Sequence, residues 1–177
     1  MAMSDLTVPV GDDDHKQGPA GADLVLVMYG DFECPYCAAA QSILRRVRNR
    51  LGDRLLLVYR HFPLPEVHPH AELAAEAAEA AAAQGKFWEM HDELFAGRGK
   101  LTERDLVAHA KRIGVDEKRV RYELAARTHR DRVVRDHESG VASGVTGTPG
   151  FFANGVRLGG AFDAGSIVTA LQGGTEG

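Results

Sequence analysis

The feature that most constrains this chain is a continuous strand-like run that gives way to a helix opened by a paired-cysteine motif. Leu24-Val25-Leu26-Val27-Met28-Tyr29 is unbroken apolar sequence, which suits a strand covered on both faces. Gly30 and Asp31 end it. From Pro35 to Leu51 the spacing changes, and Ile43, Leu44, Val47 and Leu51 fall on one face of a helix. Arg45, Arg46, Arg48 and Arg50 crowd its last turns, where cations suit the helix dipole, and Gly52 is a C-cap candidate. Leu55 to Phe62 reads as a second buried strand. Strand, helix and strand in this order form a βαβ unit, so the two strands are expected to be parallel.

The two cysteines of the chain, Cys34 and Cys37, both lie in the Cys-Pro-Tyr-Cys motif at the head of that helix. A disulfide scaffold distributes its bridges, and a bond closing so small a loop constrains the unfolded chain little, so the motif points to chemistry. Cys34 faces free backbone N–H groups and the positive end of the helix, which favour thiolate, the nucleophile. Pro35 fits the first helical turn, where its missing N–H costs nothing. Cys37, one turn on, is placed to attack a mixed disulfide formed at Cys34. Asp31 and Glu33 oppose the anion by roughly 0.5 kcal/mol each at about 8 Å in a water-like medium. N–H groups act at closer range, so the Cys34 pKa is expected to be lowered overall. Glu33, Pro35 and Tyr36 are the residues expected to tune the pair. The rival reading is half of a zinc site completed by His68 or His70. No second C-x-x-C and no spaced histidine pair follows, so no metal is expected.

Residues 1–22 are rich in Asp, Gly and Pro and read as a loose N-terminal arm, with Leu6–Val10 a candidate edge strand. Pro63, Pro65 and Pro69 interrupt regular structure. After them Ala71–Ala83 is helical by propensity, and Phe87–Phe95 places Phe87, Met90, Leu94 and Phe95 on one side of a helix, with Trp88 and His91 read as packing residues. Thr102 opens a Thr-x-x-Asp cap, Gly114 closes that helix and Asp116 opens the next. Arg127 to about Val141 is a further helix, on which His129 and His137 read as solvated. Phe151–Ala153 and Val156–Leu158 flank Asn154-Gly155, a hairpin signal, and Ala164–Leu171 reads as a last helix. Core packing is expected for Phe151, while Phe32 and Tyr36 are candidates for an apolar groove beside the cysteines.

At 177 residues with 44% hydrophobic and 26% charged content, the chain has material for one real core. Lys plus Arg is 21 and Asp plus Glu is 25, a net charge of −4, which argues against nucleic-acid binding. No stretch approaches the roughly 18 apolar residues of a membrane span. The first residues carry no early Lys or Arg and no apolar core, so the cytoplasm is favoured, and export if a leader has been removed. A monomer is expected, with no organic cofactor, because two sulfurs suffice to carry the electrons.

The junction Tyr29-Gly30-Asp31-Phe32-Glu33-Cys34-Pro35-Tyr36-Cys37 resembles the DsbA-like branch of the thioredoxin superfamily, in the bacterial group also found fused to some Na+/H+ antiporters. Arg60-His61-Phe62-Pro63-Leu64, His68-Pro69-His70-Ala71, Phe87-Trp88-Glu89-Met90-His91-Asp92 and Gly144-Val145-Thr146-Gly147-Thr148-Pro149 match as well. The resemblance implies an α/β thioredoxin-like fold, βαβ then ββα, carried by residues 23–63 and 144–173, with an all-helical insertion over 64–143. It implies a thiol–disulfide oxidoreductase acting on protein or peptide thiols, recycled by a redox partner. It implies that Pro149 is cis and that the backbone of Thr148 pairs with an extended substrate segment. The family usually has a buried Glu six residues before the first cysteine; Met28 stands there, so resolution by Cys37 is expected to be slow. A redox-sensing module and a zinc-stabilised interaction module are the alternatives.

Overall fold

The computed structural model describes residues 5–97, 99–160 and 162–173. A five-stranded sheet runs in the order β1-β3-β2-β4-β5, built from β1 (His15–Gln17), β2 (Leu24–Gly30), β3 (Leu55–His61), β4 (Gly150–Ala153) and β5 (Val156–Arg157). The β2 and β3 strands are parallel, from Leu24 opposite Leu55 to Gly30 opposite His61. The crossover is α1 (Pro35–Leu51), as expected of the βαβ unit. The β4–β5 hairpin turns at Asn154 and Gly155, with φ of 50° and 84°, the positive values a tight turn requires.

Alternation along the strands divides the core in two. Leu24, Leu26, Met28, Leu57 and Tyr59 face α1, α7 (Ala164–Gly173) and the first four of the helices between β3 and β4. Val27, Tyr29, Val58 and Phe152 face the other way. Both faces are covered, which is why β2 and β3 read as unbroken apolar runs. Five helices lie between β3 and β4: α2 (Ala71–Ala82), α3 (Phe87–Ala96), α4 (Glu103–Arg112), α5 (Glu117–Ala125) and α6 (Arg130–Ala142). The alanines of α2 are buried at 71, 74, 75, 77, 78, 80 and 81, and with no long side chain to keep them apart α3, α5 and α6 pack directly against it. Thr102 and Asp105 form a reciprocal capping box on α4. On α6, Gly140 permits contact with Phe62; a Cβ there would lie 2.6 Å from the Phe62 ring.

The N-terminal arm differs from its expectation. Leu6–Val10 forms no strand; the edge strand is His15–Gln17. The arm is also stitched down rather than loose. The Arg60 guanidinium, 2% exposed, donates to both carboxylate oxygens of Asp14 at 2.8 and 2.9 Å, to the carbonyls of Val8 and Pro9, and to the Tyr29 hydroxyl. Leu6 is buried beneath the back face of the sheet. A charged group inside a strand must find such partners, and here the arm supplies them. Residues 1–4 of the arm lie outside the described residues. The helix-α6 histidines are also less solvated than expected. His137 stacks on Phe62 at 4.3 Å, and His129 Nε2 lies 2.7 Å from Glu123.

Candidate active site

The site forms where β2 ends. Asp31, 1% exposed, organises the turn through every oxygen it has. Its Oδ1 accepts the Glu33 N–H at 2.7 Å, the side-chain-to-backbone bond that lets an Asp replace a regular turn. Its Oδ2 accepts the Leu64 N–H at 3.0 Å and faces His68 Nδ1 at 2.8 Å. Its backbone carbonyl accepts the Cys34 N–H at 3.1 Å. Glu33 reaches the same loop, accepting the His70 N–H at 2.7 Å. The two acids thus bind the 64–70 segment to the cysteine turn.

Cys34 occupies the N-cap of α1 with Pro35 at its first position, as the spacing demands. Its Sγ lies 3.6 Å from the carbonyl oxygen of Thr148, and the Thr148–Pro149 peptide is cis. The loop before β4 and the start of α1 therefore meet at the sulfur. Both cysteines are free thiols, with Cys34 3% exposed and Cys37 fully buried. Tyr36, between them in sequence, is 74% exposed. Of the other two aromatics named for this region, Phe151 is in the core as expected. Phe32 is there too, stacked on Tyr59 at 5.4 Å and tilted against Phe95 at 4.9 Å, and is not part of a groove.

The two sulfurs are electrostatically unequal. The Cys37 thiol, hydrogen-bonded to Cys34, does most to hold the Cys34 pKa down at about 5; burial opposes it, and the Thr148 side chain and the N–H groups of Cys37 and Tyr36 add to the lowering. The Thr148 hydroxyl is buried with no other partner, so it is free to donate to a thiolate. Burial pushes Cys37 the opposite way, far above the thiol range, and the neighbouring Cys34 charge adds to the rise. Near neutral pH the first sulfur therefore favours the thiolate and the second the thiol. Met28 is fully buried on β2 in the same core cluster as Cys37.

Among the described residues, no cysteine belongs to a set of three converging metal-ligand atoms. His68 Nδ1 is taken by Asp31, and His70 contributes its backbone N–H. The turn-organising role of Asp31 was missed by the sequence reading, which treated it as a flanking charge. The signal was present in its position two residues before Glu33 at a strand end.

A thioredoxin family profile matches residues 11–172. The chain belongs to the thioredoxin family. Among solved structures, this thioredoxin chain superposes on a thioredoxin-like oxidoreductase from Silicibacter pomeroyi with a TM-score of 0.84 at 23% identity, covering 94% of this chain and 95% of that one. It superposes on BdbD from Bacillus subtilis with a TM-score of 0.84 at 20% identity, covering 92% of each. Both share this chain's overall fold. In sequence it is 45% identical over 168 residues to a Na+/H+ antiporter, NhaA 1 of Salinispora arenicola, covering 94% of this chain and 26% of that protein. A Herminiimonas arsenicoxydans antiporter NhaA is 43% identical over 90% of this chain and 25% of its own length. The chain thus spans about a quarter of the curated relatives it matches. Among the described residues, no helix is long and apolar enough to cross a membrane.

Proposed function

We propose that this chain catalyses thiol–disulfide exchange on protein or peptide thiols. The observation that carries the reading is the opposed pair of sulfurs, Cys34 lowered to about 5 and Cys37 raised, at a strand-to-helix junction within reach of the Thr148 carbonyl. In the reducing direction, the Cys34 thiolate attacks one sulfur of a client disulfide. That S–S bond breaks, a mixed disulfide forms, and the first client sulfur leaves with the electron pair and takes up a proton. Cys37 then loses its proton and attacks Cys34. The second client thiolate departs, and the protein is left with a Cys34–Cys37 disulfide, two electrons having passed to the client. The oxidising direction is the reverse. A stabilised Cys34 thiolate is a good leaving group and makes the disulfide the stronger oxidant. An extended client segment pairs with the backbone at Thr148 in the manner of an added strand.

Insulin reduction and client oxidation in defined glutathione buffers test the proposal. Wild-type protein turns over in at least one of them and Cys34→Ser in neither; a wild-type protein inert in both overturns it. The redox potential assigns the direction. A value near that of a strong oxidant fits an exported oxidase, and a more reducing one a cytoplasmic reductase. A second reading, a redox-sensing module, is favoured by one observation: the relatives carry the matching segment within proteins named as Na+/H+ antiporters. A sensor reacts stoichiometrically with one partner and shows no turnover with general clients.

A further inference from the structure

Behind the redox pair, three donor atoms converge from separate parts of the chain. His15 on β1, His61 at the end of β3 and Glu79 on α2 each offer one donor atom, and the three lie within 4.8 Å of one another. The two imidazoles share a single oxygen, with His15 Nε2 at 2.5 Å and His61 Nε2 at 2.7 Å from Glu79 Oε1. The side chain of His61 is completely buried, that of Glu79 is 8% exposed and that of His15 14%, so the set is internal with one partly open side. Aromatic rings wall it: His15 lies flat on Phe87 at 3.6 Å, and His61 packs edge-on to Tyr59 at 5.6 Å. His91, which packs in the same layer, turns its Nδ1 to Asp92 at 2.8 Å and stays outside the set.

We propose that His15, His61 and Glu79 form a binding site for a divalent transition-metal cation of the zinc type. Two imidazole nitrogens and one carboxylate oxygen are a donor set that zinc accepts with water in the fourth position. The absence of thiolate from the set excludes a soft-metal site, and the histidines distinguish it from the all-oxygen cages of calcium and magnesium. Metal–ligand bonds of about 2.0–2.1 Å in a tetrahedron set the donors roughly 3.3 Å apart, so both observed contacts need to open by less than about 1 Å. The partner best able to yield is His15, which sits on a three-residue edge strand with a single neighbour, β3. Glu79 Oε1 faces His61 Nε2, while Nδ1 of the same ring has no hydrogen-bond partner, so Nδ1 is open to carry the ring proton when Nε2 turns to a metal. The bound cation would clamp the edge strand to α2, a structural role separate from the cysteine chemistry. The expectation of no metal concerns a zinc site at Cys34 and Cys37 completed by His68 or His70; the present set draws its donors from the arm, β3 and α2 instead.

The test uses the fully oxidised protein, in which the Cys34–Cys37 disulfide removes competing thiolates. Titration with zinc chloride near neutral pH, followed calorimetrically, is expected to give one saturable site per chain. Cobalt in its place is expected to show the visible bands of a four-coordinate ion. His15→Ala weakens binding by about two orders of magnitude or more, since loss of even an outer-shell partner costs tenfold to a hundredfold. His70→Ala, which alters an exposed imidazole, leaves it unchanged. Should His15→Ala fail to fold, zinc-induced shifts of the His15 and His61 ring resonances in the wild-type protein decide instead. The proposal is overturned if oxidised wild-type protein takes up no zinc, if His15→Ala binds it equally well, or if the shifted rings are other histidines.

Discussion

Replacing Cys37 by alanine removes the largest influence that lowers the Cys34 pKa, and the structure sets the size of the response. In the wild-type chain Cys34 titrates at about 5, against 9.0 for an ordinary thiol. A hydrogen bond to an ionised group contributes about 1.5–3 kcal/mol, and each 1.36 kcal/mol is one pKa unit. Loss of the Cys37 donor therefore raises the midpoint by about 1–2 units, to roughly 6–7. It does not return to 9.0, because the Thr148 hydroxyl and the helix N–H groups remain. Cys37→Ser retains a donor and should stay closer to the wild type. The assay is the rate of iodoacetamide alkylation of reduced protein against pH, with the labelled peptide identified by mass spectrometry. Only Cys34 should carry label at low pH, since the Cys37 thiol is pushed far up. Identical midpoints for wild type, Cys37→Ala and Cys37→Ser would refute the claim that the second thiol stabilises the first as an anion.

The same lowered thiol makes the stability of the reduced form depend on pH. A depressed pKa contributes stability that is complete above the unfolded value of 9.0 and is lost as pH falls through about 5. Thermal melts should accordingly show the reduced form gaining on the oxidised form between those limits, and a constant gap would contradict the assignment. Arg60→Ala leaves Asp14, the Val8 and Pro9 carbonyls and the Tyr29 hydroxyl without their shared donor; it should cost about 3–5 kcal/mol in urea unfolding, and a loss below about 1 kcal/mol would mean the arm is not pinned as described. Met28→Glu puts a carboxylate into the core cluster that contains Cys37. It should lower stability and speed resolution of the mixed disulfide in rapid-mixing kinetics, and an unchanged rate and pH profile would show that this step needs no base there.

What the sequence conveyed, and what it did not, divides by the range of the interactions. The βαβ unit, the Cys34 N-cap, the capping box at Thr102 and the Asn154-Gly155 hairpin are determined by residues within a turn or two of one another, and each can be read from its own segment. The polar contacts that hold the site and the arm have no such locality. Asp31 meets Leu64 and His68 across 33 and 37 positions, Arg60 meets Asp14 across 46, and His15 meets Glu79 across 64. Their partners are set by strand register and by how the helical insertion packs, neither of which is written in a local pattern. One half of the Arg60 and Asp31 contacts was nonetheless visible. An arginine inside the apolar run Leu55–Phe62 and an acid at the end of Leu24–Tyr29 are both carried into the interior by the strands that contain them. A buried charge without partners costs far more than a strand contributes. The physical requirement for a partner is therefore present in the sequence, and tertiary structure is needed only to say that Asp14 answers Arg60 and that the 64–68 loop answers Asp31. That loop, closed over the turn by an internal carboxylate, makes the position of the Cys34 sulfur depend on a segment more than thirty residues away.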